Sequence, residues 1–109
     1  MFWGDRMQIS HTREDDAQVI AISEELGHHE ARRIIDYMET VLTMNPEGQV
    51  ILDLSGLTFM DSSGLAVVLH LQRSLQRAGR TLTVRGTRQQ AMRVFRAAGL
   101  PKLVHFEGE

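Results

Sequence analysis

Asp61-Ser62-Ser63 sets a carboxylate and two hydroxyls side by side, between Phe59-Met60 and Gly64-Leu65. A serine in that company has three chemical fates. It can cap a helix, because a short side-chain oxygen accepts from the free N–H groups of a first turn. It can carry a phosphate, which a helix N-terminus tolerates through its amides and its dipole. It can also attack a substrate, but only with a base placed to activate it. The pattern leaves capping and phosphorylation open. For attack, no residue pair is marked out to orient a histidine base, so catalysis by this chain alone is not expected.

The flanking residues say how this turn is held. Val50-Ile51-Leu52 with Leu54 is a short run of branched side chains, as in a strand covered on both faces. Ser55-Gly56 reads as its break, and Leu57 and Phe59 lead into the turn. Leu65, Val68, Leu69, Leu75 and Ala78 then recur at helical spacing, and Gly79 supplies a left-handed cap. Asp61, Ser62 or Ser63 can each be the N-terminal cap. The serines thus stand at the positive end of a helix and the C-terminal edge of a sheet, where open parallel sheets usually carry their sites.

The remaining chain supplies that sheet. Met7 to His11 and Gln18 to Ile22 read as strands of an antiparallel hairpin, joined by the polar Arg13 to Asp16. His28 to Met44 carries Ala31, Ile34, Ile35, Met38, Val41 and Leu42 on one helical stripe, and Asn45-Pro46-Glu47-Gly48 ends it. Thr81 to Val84 is a further strand, Gln89 to Ala98 a short helix, and Leu103 to Phe106 a final strand. Strands alternating with helices predict an α/β fold: a mixed, mostly parallel sheet with an N-terminal β-hairpin and crossover helices. One domain over residues 1–109, with its core from about residue 7 to 106, suits a chain of 109 residues.

Composition removes several function classes. The balance of 42% hydrophobic and 24% charged residues is that of an ordinary globular domain, which argues against overall disorder. No apolar run approaches the roughly 18 residues that span a bilayer, and Met1-Phe2-Trp3 is too short, with Asp5 too near, for a signal peptide. There is no cysteine, so disulfide and thiolate chemistry are excluded and a cytoplasmic setting is expected. Phosphate-loop, dinucleotide-binding and nucleophile-elbow motifs are absent. Adjacent His28 and His29 cannot share a helical face as a metal pair would, so neither metal nor cofactor is expected. His70 and His105 lie within apolar patterns and read as packed side chains.

Charge is unevenly placed. Residues 1–53 hold four arginines against eleven carboxylates, and the rest of the chain reverses the balance. Arg73, Arg77 and Arg80 share the polar side of the central helix. No aromatic residues interleave with them for base stacking, so a solvated face is expected and direct nucleic-acid binding is not.

Phe59-Met60-Asp61-Ser62-Ser63-Gly64-Leu65, with Leu57 before it and Val67-Val68-Leu69 after it, resembles the signature of the anti-sigma factor antagonists, bacterial STAS-domain proteins. Gly27-His28-His29 after Ile20-Ala21-Ile22 is similar to a flanking segment of that family, as are Val94-Phe95 and Ala98-Gly99-Leu100. The resemblance runs from about Met7 to Phe106. It implies that the second serine of the motif, Ser63, is the phosphorylated one. It also implies partners: an anti-sigma factor that is a serine kinase of the histidine-kinase-like ATPase fold, and a serine phosphatase. The unmodified form would bind the anti-sigma factor and free a sigma factor, and phosphorylation would end that contact. Gly27, His28, His29, Met60, Asp61, Ser62, Ser63 and Gly64 would form the partner-binding surface. Asp61 would help orient the hydroxyl, Gly64 would admit the partner to the backbone, and Met60 would give adaptable apolar contact if it is exposed. Where this chain has Gly27 the family commonly has an acidic residue. The alternative use of such a domain is as a scaffold in a stress-signalling complex, or as a regulatory subunit of a lipid or anion transport system.

Overall fold

Strand β3 (Val50–Met60) carries the site, and alternation dictates how its first half is buried. Val50, Leu52 and Leu54 are wholly buried, whereas Asp53 and Ser55 lie on the other face. The computed structural model describes residues 8–108. In chain order the elements are β1 (Ile9–Glu14), β2 (Ala17–Leu26), α1 (His28–Met44), β3, α2 (Ser62–Arg77), β4 (Leu82–Arg85), α3 (Gln89–Ala97), a 3-10 turn (Leu100–Lys102) and β5 (His105–Phe106).

The five strands lie side by side in chain order. β1 pairs antiparallel with β2, and β2, β3, β4 and β5 are parallel neighbours. Each crossover therefore steps one strand in the same direction. Right-handed crossovers of that kind place their helices on a single face of the sheet. Ile20, Ile22, Leu52, Leu54 and Val84 meet Ile34 and Met38 of α1, Val67, Val68 and Leu71 of α2, and Phe95 of α3 in one core. Phe95 and Phe106 pack as a tilted pair with centroids 5.1 Å apart.

The opposite face is knitted by charge. Arg85 on β4 donates to Asp53 on β3 at 3.0 Å and, through both terminal nitrogens, to Glu14 on β1 at 3.1 and 2.8 Å. Asp53 also accepts from the backbone N–H and the hydroxyl of Ser55. Burial pushes the Asp53 carboxyl up, but the bonds from Ser55 and Arg85 outweigh it and hold the group below the usual carboxylate range.

The predicted hairpin, the predicted helix from His28 to Met44 and the mixed sheet are all present. Met7, expected in the first strand, lies outside the described residues. Several boundaries differ. β3 does not stop at Ser55-Gly56 but continues to Met60, and β2 continues to Leu26 beside it. The pairing survives because β3 takes one extra residue opposite Ala21–Ser23 and another opposite Glu24–Glu25, with Glu24 of β2 in the left-handed region at φ 68°. The final strand is only His105–Phe106, because Pro101 and the left-handed Gly99 favour a 3-10 turn ahead of it. The two histidines expected in the core are outside it. His70 stands 2.5 Å from Glu39, both partly exposed between α1 and α2, and His105 is exposed on an edge strand. Arg80 is not part of a free basic face, since it donates to the carbonyls of Gly48 and Glu47. Arg73 and Arg77 are exposed.

Candidate functional site

The C-terminal ends of β2 and β3 finish side by side, with Leu26 paired to Met60. Each strand leads directly into a helix, so the turns Gly27-His28 and Asp61-Ser62 meet at one edge of the molecule. The amide of Asp61 donates weakly to the Leu26 carbonyl at 3.4 Å.

Among the three residues able to cap α2, Asp61 is the one that does so. Its Oδ1 accepts from the backbone N–H of Ser63 at 2.8 Å and of Gly64 at 3.2 Å, while its own carbonyl accepts from Leu65. Asp61 has the extended backbone of an N-cap, and Ser62 and Ser63 are the first two helical residues. Ser62 is exposed and Ser63 half-buried. Neither hydroxyl makes a hydrogen bond to a described residue. The carboxylate thus fixes the serine's backbone, not its hydroxyl as expected, because a residue two positions back reaches the amide more readily than the side chain.

α1 begins with a glycine cap. The Gly27 N–H donates to Glu30 Oε1 at 3.1 Å, and the Gly27 carbonyl accepts from Ala31 at 3.0 Å. A Cβ on Gly27 would lie 3.0 Å from Asp61 Oδ2, so the two turns are in near contact there. His28 and His29 are exposed, their rings edge to face with centroids 5.5 Å apart.

Two residues expected at the surface are inside. Met60 is wholly buried: past Leu54 the irregular end of β3 turns every third residue, Leu57 and then Met60, toward the core, and Met60 pairs with the buried Leu26. Gly64 is buried too, and its absence of a side chain serves packing: a Cβ there would stand 2.5 Å from the Leu26 carbonyl oxygen. The apolar group beside the turn that does reach solvent is Phe59, which is 47% exposed. Thr58 and Phe59 are both exposed and Leu57 and Met60 both buried, so the exchange follows the irregular end of β3 and not a simple alternation.

Sequence reasoning also missed residues on two sides of the turn. Gln8, Glu24, Glu25, Glu30 and Thr58 line an open recess of about 310 Å³ next to the Gly27 turn. Glu24 and Glu25 reach it through the β2 irregularity, which no local pattern announces. From the other side, Gln90 of α3 bonds the backbone of Met60 twice: Met60 N–H to Oε1 at 3.0 Å and Nε2 to the Met60 carbonyl at 2.9 Å. Among the described residues no group of three or more histidine or acidic side chains could hold a metal ion. Nor is any described helix long and apolar enough to cross a membrane.

The arrangement matches known proteins along nearly its whole length. A family model described as "Mlab, STAS domain" matches residues 9–105. An anti-sigma F factor antagonist of Lysinibacillus sphaericus is 35% identical over 83 residues, 75% of this chain and 70% of that protein. Its counterpart from Paenibacillus polymyxa is 26% identical over 98 residues, 90% and 84% of the two chains. The solved structure of the Bacillus cell fate determinant SpoIIAA in its phosphorylated form superposes with a TM-score of 0.70 at 25% identity, covering 93% of this chain and 92% of that one.

Proposed function

The chain belongs to the STAS-domain family of anti-sigma factor antagonists, and we propose that it works there as a binding module switched by phosphorylation of Ser63. The unmodified form binds an anti-sigma factor that is also a serine kinase of the histidine-kinase-like ATPase fold, and a sigma factor is released. The kinase then phosphorylates Ser63, the complex separates, and a serine phosphatase restores the binding form. The observation that carries this reading is the Ser63 hydroxyl: it has no partner among the described residues, yet stands on a backbone that Asp61 holds in place.

The physics of the switch follows from the same cap. A phosphate brings about −1.5 to −2 charges. Asp61 already occupies the Ser63 and Gly64 amides and is itself negative, so the helix end has little left with which to absorb the new charge. The phosphate would therefore lie outward, on the surface offered to the partner. A hundredfold loss of affinity needs only about 2.7 kcal/mol, which a misplaced or desolvated charge in a packed interface can supply.

The contact surface in this reading is Gly27, His28, His29, Asp61, Ser62 and Ser63, with Phe59 in the apolar role first given to Met60. Glu24, Glu25 and Glu30 provide negative charge beside Gly27 and suit a basic partner surface. The test is the affinity of unmodified and Ser63-phosphorylated protein for the kinase that modifies it. At least a hundredfold difference is expected, and equal affinities would contradict the switch.

The "Mlab" description of the matching model is the observation behind a second reading, as a scaffold or a regulatory subunit of a lipid or anion transport system. In that case the binding partner would be a transporter component, and its affinity would not depend on phosphate at Ser63.

A further inference from the structure

β3 is eleven residues long and β4 only four, so their pairing ends at Asp53 and Arg85. Beyond that point the β4 side of β3 has no strand beside it, although the switch turn hangs from its far end. Two side chains from the start of α3 stand in. Arg88 Nε donates to the Ser55 carbonyl at 3.0 Å. Gln90 exchanges two hydrogen bonds with Met60, the same pair of bonds by which facing residues of an antiparallel ladder hold each other. Met60 immediately precedes Asp61, and Asp61 Oδ1 holds the amides of Ser63 and Gly64.

On the opposite side the ladder to β2 runs to the Leu26–Met60 pair, and past it Asp61 N–H donates to the Leu26 carbonyl at a long 3.4 Å. A backbone N–H and C=O of a wholly buried residue would otherwise lack partners, which is costly. Gln90 meets that need and, in doing so, ties α3 to the turn.

We infer that Gln90 is a positioning residue for Ser63. It fixes the end of β3 through Met60, and thereby the direction in which the Asp61 cap presents the serine. The inference rests on the reading of Ser63 as the switch residue. Its structural half does not need a kinase, so the two can fail separately. Gln90→Leu removes both bonds at nearly constant size and keeps a good helix former. Gln89→Leu, one residue earlier and exposed, is the control.

Amide hydrogen exchange should be roughly tenfold faster at Ser63 and Gly64 in Gln90→Leu, a loss of about 1.4 kcal/mol of local protection. Val41 in α1 and Leu52 in β3 should keep their wild-type exchange, and Gln89→Leu should leave all four sites unchanged. With the kinase, Gln90→Leu should lower kcat for Ser63 by about tenfold at unchanged KM, since a loosened hydroxyl costs alignment more than docking. Gln90→Glu keeps the acceptor for Met60 N–H but loses the donor, and should fall between. Wild-type exchange at Ser63 and Gly64 in Gln90→Leu would overturn the inference. So would equal acceleration throughout the core, which would make Gln90 a general stabiliser, or an unchanged kcat. Failure of any kinase to modify Ser63, with the local exchange effect intact, would instead sink the phosphorylation reading.

Discussion

Asp61 holds Ser63 by its backbone: the carboxylate accepts the serine's amide N–H at 2.8 Å and leaves the hydroxyl without a partner among the described residues. That division of labour sets the conformation of the turn without involving the reactive group. It also explains why Ser62 and Ser63 are not caps, although cap statistics favour serine and aspartate almost equally.

Removing the cap should cost stability. Asp61→Ala loses the acceptor for two first-turn amides and should destabilise the fold by about 1 kcal/mol. Asp61→Asn keeps a side-chain oxygen in the same place and should cost less than half as much. Urea unfolding of the two variants measures the difference.

The same small substitution should act by different mechanisms at two glycines. Gly64→Ala drives a methyl to within 2.5 Å of the Leu26 carbonyl and should destabilise by about 2 kcal/mol or more through overpacking. Gly79→Ala meets no atom within 4 Å but holds φ at 69°, so it should cost about 1 kcal/mol through backbone strain alone. Crystal structures would show β2 or α2 displaced in Gly64→Ala and no shift of neighbours in Gly79→Ala.

The Glu14–Arg85–Asp53 network predicts a pH dependence. The hydrogen bond and charge of Arg85 lower the Glu14 carboxyl, and Asp53 is lowered as well. A carboxyl with a lowered folded pKa contributes stability that is complete above its unfolded value, near 4, and lost as pH falls through the folded value. Acid unfolding should therefore steepen below about pH 4. Asp53→Asn should remove roughly 1.5 kcal/mol at pH 7, and its stability should fall less between pH 5 and 3 than that of the wild type. A parallel fall in both proteins would place the acid sensitivity elsewhere.

Periodicity made most of the fold legible. The stripe from Ala31 to Leu42 gave α1 its bounds, and Gly79 marked the end of α2. The extension of β3 past Ser55-Gly56 was not legible, because a break and an irregular strand have the same local composition; a long partner strand, β2, decided the matter. At the site, Asp61, Ser62 and Ser63 could be read directly. The burial of Met60 and exposure of Phe59 follow only once the irregular register of β3 against β2 is known. Gln90 carried no signal at all, since a glutamine at the second position of a helix is ordinary until the chain folds it against Met60.

The most direct test of the account is to map phosphate by peptide mass after incubating the protein with ATP and an extract of its native cells, beside Ser63→Ala and Ser62→Ala. The account predicts phosphate on Ser63 in the wild type and in Ser62→Ala, and none in Ser63→Ala. Phosphate on Ser62, or none in an extract that phosphorylates a known antagonist, would contradict it.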